Sequence, residues 1–568
     1  MNGLIGPLEH DGDAAASAPF ASDWYAAEAV AAPVRGALAI DLDVDVCVIG
    51  GGLAGLTTAR EVARRGWSVV VLEAGRIGGA ASGRNTGFVL PGFGEDLDTI
   101  VERIGVDHAR ELWSLSERGL AYVRETIAET KMPGVKQEPG WLYVAKTDRD
   151  ADLEKLASDL RDFGTEAEYW PREHVRAQLP SERYFGAVHY PRAFAINPLN
   201  YVLGLAAAAE QAGVRIFEDT PAVSIDPAGV RKRITTPLAR VRASHVVLAG
   251  NVDLGPLMPR LSATLVPITT YVMVTQPLGQ KLADTLAYRG AVSDGDRADN
   301  HYRIVGGDRL MWSGRMSTTP RNPRRYARTL ARDIMRLYPQ LGPVAAAHLW
   351  NGTLGLPIHR MPQIGELHPG VWVASGFGGH GLNTTAMAGE LVARGIVEED
   401  ETWRLFAPYE LVWAGGRAGR TVMRTLSLVG RPVDQAHQAW ARSRERARRR
   451  KDARRAARRK LQEQVAALTP TSVSALAPMS SAAPEPIVTA EAAAPPLAET
   501  VAPATLEIAP PQLASDAPAP EPAPVMEPES AAAVAEKPVE PATKPRKRKK
   551  GKKKPAASGN KTVETAGS

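Results

Sequence analysis

The stretch from Val44 to Glu73 constrains this 568-residue chain more than any other. Val44 to Ile49 runs apolar and β-branched, which suits a strand buried in a parallel sheet. Gly50, Gly52 and Gly55 follow in G-x-G-x-x-G spacing. The first glycine allows a tight turn, the second lets backbone approach a pyrophosphate, and the third lets the next helix pack closely on the strand. That helix, Leu53 to Arg65 with Ala54 in its first turn, offers free N–H groups and the positive end of its dipole to phosphates. Gly66 ends it, and Ser68 to Leu72 reads as a second strand. Glu73 stands 18 residues after Gly55, where a carboxylate accepts hydrogen bonds from ribose hydroxyls. Strand, turn, helix, strand and acid in this register predict a bound dinucleotide; the bland alternative is a tight turn with no ligand.

After Glu73 comes Ala74-Gly75-Arg76-Ile77-Gly78-Gly79-Ala80-Ala81-Ser82-Gly83-Arg84-Asn85-Thr86-Gly87-Phe88. Its small residues let backbone donors come close, and Arg84 and Asn85 add side-chain donors. This loop resembles that of the D-amino-acid-oxidase-like flavoproteins, in the branch of glycine, sarcosine and gamma-glutamylputrescine oxidoreductases. The resemblance implies FAD, with Ala74 beside the ribose acid and Ser82, Gly83, Arg84 and Asn85 near the pyrophosphate and flavin ring.

Further blocks carry the likeness over residues 22 to 425. Asn197 to Tyr201 opens a helix that ends near Gly213, and Thr220 to Val223 follows; the implied role of the Val223 backbone is to touch adenine. Ser244 to Asn251, including Ala249 and Gly250, resembles the strand and turn that return to the FAD. Val371 to Asn383 gives a strand, a turn through Gly378, Gly379, His380 and Gly381, and a helix starting near Leu382 and Asn383. By resemblance that helix start faces the pyrimidine edge of the flavin, where its dipole favours the charge of the reduced ring. Arg84 and His380 are the candidate catalytic groups, with His380 alternatively a packing residue of the turn.

The implied reaction is oxidation of a C–N bond in a small amine or amino acid. A flavin takes a hydride from the carbon beside a neutral amine, and water hydrolyses the resulting imine. Oxygen is the expected acceptor. A quinone- or carrier-linked dehydrogenase is the alternative, because no lysine before residue 440 falls in a matching block. A non-catalytic flavoprotein docked to a polyanion is a third reading. Cys47, the single cysteine, lies inside the first strand, so FAD is expected to be non-covalent. No clustered metal-ligand spacing appears. Tyr302, on a strand through Asn300 to Arg303, either faces the substrate cavity, in preference to Arg303, or simply packs in the sheet. Pro357-Ile358-His359 replaces a Thr-x-Asp element common in the family, so His359 and Arg360 either meet a substrate carboxylate or are ordinary turn residues.

The expected architecture is α/β. A Rossmann-like FAD-binding domain over 43–118, 196–262 and 345–400 is interleaved with an α+β antiparallel-sheet substrate domain over 119–195 and 263–344. Residues 1–42 lead in, and 401–439 form packing helices, in which Leu411 to Trp413 either pack inward, the favoured reading, or face a partner or membrane surface. A basic helix over 440–468 and a disordered Ala/Pro-rich tail over 469–568 complete the chain.

Charge is partitioned along it: −3 over 1–439, +10 over Trp440 to Lys460, −10 over 461–543 and +9 over Lys544 to Lys554. The terminal Lys/Arg cluster lacks aromatics and either attracts nucleic acid or anionic lipid nonspecifically or stays solvated. No signal-like start and no apolar run long enough to span a membrane appear, and one cysteine suits a cytoplasmic setting.

Overall fold

The computed structural model describes residues 23–255, 257–295 and 300–416, with 419, 443, 447, 450, 451, 454–458 and 460. All of these fall within the compact unit Met1–Thr471. The described positions between 443 and 460 are helical and exposed, in keeping with a basic helix there. The tail over 469–568, the start of the lead-in and the rest of 417–468 lie outside the described residues.

The first sheet centres on the strand Leu42–Ile49. Val69–Leu72 pairs with it in parallel on one side and Arg240–Leu248 on the other. Arg215–Phe217 and Val371–Ser375 extend the parallel order outward. Gln363–His368 adds an antiparallel edge, and the hairpin Ser224–Asp226 with Lys232–Thr235 turns back onto Arg240–Leu248. Side chains alternate along these strands, so each feeds two cores. Val46, Val48, Val69 and Val71 pack in one with Leu56 of the helix Leu53–Arg64 and Leu391 of the helix Gly381–Val397. Cys47, Ile49, Val70 and Leu72 pack in the other with Val246 and Leu248. Burial on both faces is why these strands read as unbroken apolar runs.

The second sheet has, among the described residues, nine strands: eight run from Ala346–Pro357 through Leu265–Thr275, Arg309–Ser317, Asn300–Val305, Ala291–Gly295, Glu138–Ala145 and Ala187–Ala195 to Phe88–Val89, and Glu168–Trp170 pairs off this path with Ala187–Ala195. Its pairings are antiparallel except for Ala291–Gly295 against Glu138–Ala145, which run parallel. Phe88–Val89 and Ala346–Pro357 belong to this sheet although both lie in ranges expected for the FAD-binding segments. Even-numbered residues of Asn300–Val305 face a core of Tyr271, Met273, Leu310 and Trp312, closed by Leu330 and Ile334 of the helix Ala327–Leu337. Val272, Val274, Met311 and Trp350 face the opposite way, toward the first sheet's helices.

The expected helices over 401–439 reduce, among the described residues, to the 3₁₀ turn Thr402–Phe406 and an irregular run after it. Phe406, Tyr409 and Ala414 anchor that run. Leu411, Val412 and Trp413 take the exposed alternative and do not pack inward, the reading favoured for them. They are 41%, 41% and 66% exposed, because without a helical period nothing turns them toward the core. Among the described residues no helix is long and apolar enough to cross a membrane.

Candidate active site

The glycine turn is tighter than any side chain would allow. Gly50 has φ +112°, and a Cβ there would lie 2.8 Å from the Ala249 carbonyl carbon. A Cβ on Gly55 would come within 2.0 Å of the Gly50 carbonyl oxygen. Gly52 is the N-cap of the helix and faces Ser82, whose Oγ accepts from the Leu53 N–H at 3.1 Å. The helix start and the loop after Glu73 therefore meet where phosphate would sit.

Glu73 ends the second strand. Its carboxylate accepts from the Gly51 N–H at 2.7 Å and the Gly75 N–H at 2.9 Å, and burial raises its pKa above the usual glutamate value. Ala74 bridges Glu73 to that second donor. Ala249 follows the strand Arg240–Leu248 and donates its N–H to the Ile49 carbonyl at 2.9 Å; Gly250 opens a 3₁₀ turn. Val223 is exposed, and its N–H donates to the Thr235 carbonyl at 2.7 Å. A contact from Val223 to adenine would therefore run through its carbonyl.

Ala81–Arg84 forms one helical turn with Gly83 pressed on the Gly78 carbonyl. Asn85 closes it: Nδ2 donates to the Ala81 and Ser82 carbonyls at 3.1 and 2.8 Å, and Oδ1 accepts from the Gly87 N–H at 2.8 Å. The side chain expected to reach the cofactor instead shapes the loop. Arg84 Nε donates to the Asn351 carbonyl at 2.9 Å, the Arg84 carbonyl accepts from the Trp350 indole at 2.9 Å, and the guanidinium is 3.6 Å from the buried Asp23 carboxylate. Arg84 thus ties the loop to the second sheet. A cleft of about 560 Å³ opens there, lined by Ala80, Arg84, Val252, Leu265, Asn351 and Thr353.

The second glycine turn has Gly378 at φ +60° and Gly379 exposed. His380 is the N-cap, and the helix starts at Gly381, one residue before the expected Leu382. The His380 carbonyl accepts from the Thr384 hydroxyl at 2.5 Å, while its Nδ1 has no hydrogen-bond partner among the described residues. Burial lowers its pKa, so the ring is neutral at neutral pH. Leu382 is buried. Asn383 is fully buried, and its Nδ2 donates to the Gly92 carbonyl at 3.1 Å, so it pins the helix and does not reach outward.

Two of the three expected substrate residues are elsewhere. Tyr302 turns into the core behind the second sheet. Its hydroxyl lies 2.8 Å from that of Tyr184 and 2.6 Å from that of Tyr338, and its ring stacks on Trp312 at 4.6 Å. His359 is buried and bonded to backbone: Nδ1 accepts from the Met361 N–H, and Nε2 donates to the Glu410 carbonyl, both at 3.1 Å. Arg360 is exposed on that turn at φ +55°.

The neighbours of Tyr302 face the other way. Strand alternation turns His301 and Arg303 toward the loop at 84–88. Arg303 donates to the Ile196 carbonyl at 2.7 Å and to Glu138 at 3.1 Å, and it sits against Gly87. His301 lies edge-on to Phe88, with Nδ1 2.8 Å from Ser293 Oγ, which accepts from the Trp141 indole at 2.9 Å. Burial, and then electrostatic repulsion from the His380 imidazole when protonated and from Lys146, pull its pKa down to about 4. Lys146 is ion-paired to the buried Asp294 at 2.7 Å. The missed signal was polarity: His301 and Arg303 share one strand face while Tyr302 and Ile304 share the other.

These features fit a flavin dinucleotide. The glycine positions have no room for a Cβ, a half-buried carboxylate ends the second strand beside them, and a cleft opens along the loop that follows. Among the described residues no cluster of three His, Cys, Asp or Glu forms a metal site.

Comparison with known proteins gives the same picture. The chain is 34% identical to gamma-glutamylputrescine oxidoreductase of Escherichia coli K12 over 393 residues, covering 68% of this chain and 91% of that protein. It is 26% identical to glycine oxidase of Geobacillus kaustophilus over 393 residues, covering 66% and 98%. The crystal structure of glycine oxidase from Geobacillus kaustophilus matches the fold with a TM-score of 0.55 at 22% identity, over 65% of this chain and 99% of that one. L-proline dehydrogenase from P. horikoshii matches it equally, with a TM-score of 0.55 at 19% identity, over 65% and 98%. The sequence pattern of the DAO family, described as FAD dependent oxidoreductase, spans residues 45–394. With the pattern covering more than half its length, the chain belongs to this family of FAD-dependent oxidoreductases.

Proposed function

We propose that this enzyme oxidises a C–N bond of a small amine or amino acid, with oxygen as acceptor and FAD held non-covalently. The similarity to gamma-glutamylputrescine oxidoreductase, sustained over 393 residues at 34% identity, carries the reading. Bound FAD supplies the hydride acceptor. The turn at Gly50–Gly55 and the helix at Leu53 hold its diphosphate. Cys47 is fully buried inside the first strand and offers no thiol for a covalent link.

Two neutral imidazoles and two arginines support the substrate class. His301 and His380 are held neutral by burial and so do not repel a cationic amine, which reacts once it has lost its own proton. Arg84 in the cleft wall and Arg360 beside the second glycine turn suit a substrate carboxylate. A single cysteine, in the sequence as given, fits a cytoplasmic setting.

An anaerobic panel of amines and amino acids tests the reading. At least one should bleach the flavin absorbance, and air should restore it with one peroxide per turnover. Bleaching that only a quinone reverses would assign a dehydrogenase. No bleaching by any member would leave a flavin-binding protein without this chemistry.

A further inference from the structure

The run Leu411-Val412-Trp413 is held at both ends. The Glu410 carbonyl accepts from His359, and the Ala414 N–H donates to the Ala263 carbonyl at 2.8 Å. Between those ties the three side chains face solvent, and Ile358, beside His359, is 57% exposed. Ile358 and Leu411 are each one residue from the His359–Glu410 bond, which brings their backbones side by side. Scattered exposed apolar residues need no explanation, but a contiguous set containing tryptophan marks an interaction surface.

The chain beyond the patch tells what it meets. Trp440 to Lys460 carries +10. Within it Arg450, Arg454 and Arg458 are helical, exposed and spaced by four, so they share one face, with Lys451 and Arg455 beside them. A surface that takes both apolar side chains and a row of cations is apolar inside and anionic outside. Nucleic acid satisfies the cations but gives Ile358, Leu411 and Val412 nothing to enter.

We propose that Ile358, Leu411, Val412 and Trp413 dock the enzyme on an anionic lipid bilayer, with the arginine-rich helix that follows drawing it to the surface. The patch inserts at the headgroup boundary, and among the described residues no helix is long and apolar enough to cross the membrane.

The test uses the full-length, FAD-loaded enzyme with sonicated vesicles. It should float with vesicles of equal parts phosphatidylglycerol and phosphatidylcholine and stay behind with phosphatidylcholine alone. The double variant Leu411→Ser/Trp413→Ser should weaken flotation at least roughly tenfold, since it withdraws two apolar side chains from the bilayer. Its flavin spectrum and Tm should match the parent, because both residues are exposed. Three results would overturn the proposal: no flotation with anionic vesicles, undiminished flotation of the double variant, or tighter binding to duplex RNA than to vesicles that the double variant leaves unchanged.

Discussion

Gly55→Ala adds one methyl group at the closest helix–turn contact in the molecule's nucleotide site. In an ordinary helix the change would stabilise by about 1 kcal/mol. Here the new Cβ starts 2.0 Å from the Gly50 carbonyl oxygen, with Val48 at 3.0 Å and the Ala249 side chain at 3.3 Å. Gly50 cannot yield, because its N–H is bonded to the Leu72 carbonyl at 2.9 Å and the Ala249–Gly250 backbone leaves no room even for a Cβ beside it. The helix must retreat by about 1 Å, at an overpacking cost of about 1–3 kcal/mol that cancels or exceeds the propensity gain.

The same retreat lengthens every bond from the helix N-terminus to phosphate, taking about 2.9 Å out past the limit of a hydrogen bond. Losing one charge-assisted bond costs about 1.5–3 kcal/mol, so the Kd for FAD should rise at least about tenfold. Calorimetric titration of the apoprotein reads the Kd, and the rise in Tm on adding FAD should shrink with it. Gly36→Ala, with nothing within 4 Å of its Cβ, is the control. If Gly55→Ala binds FAD with the parent's Kd, the helix start does not hold the diphosphate.

Other perturbations separate the remaining roles. Burial raises the Glu73 pKa, so its carboxylate protonates on acidification before an ordinary glutamate does; FAD affinity, followed by flavin fluorescence, should start to fall at a pH above the usual range and should lose that dependence in Glu73→Gln. Because His301 titrates only at about 4 and His380 is also lowered, kcat/KM should climb with pH toward the substrate amine's own pKa and show no inflection near 6.5, as a pH–rate profile would record. Tyr302→Phe removes a hydroxyl bonded to Tyr184 and Tyr338 and should lower stability by about 1–2 kcal/mol in urea melts while leaving KM alone. Arg360→Ala should raise KM for a carboxylate-bearing amine and leave kcat near the parent's value; an unchanged KM removes Arg360 from the site.

The parts of this site that were readable in the sequence are those whose determinants are close together in the chain. Gly50, Gly52, Gly55 and Glu73 lie in one strand–turn–helix–strand unit, and their spacing alone dictates the geometry. What was unreadable depends on distant partners. Whether Tyr302 or His301 faces the loop is fixed by Trp312 and Tyr338 behind the sheet and by Phe88 in front of it. His359 looks free until Glu410, 51 residues on, takes its Nε2–H. Asn85 and Asn383 sit in the right segments, but nearby backbone carbonyls claim their amides. The sequence left Leu411 to Trp413 open between inward packing and an exposed surface, because an apolar run without a helical period does not say which way it turns.

Calorimetric competition at the glycine turn tests the account most directly. FAD should bind the apoprotein one to one, ADP-ribose should compete with it because it carries the same adenosine diphosphate, and FMN should neither bind tightly nor compete. An apoprotein that takes up no FAD, or that binds FMN as well as FAD, would contradict a diphosphate seated against Leu53.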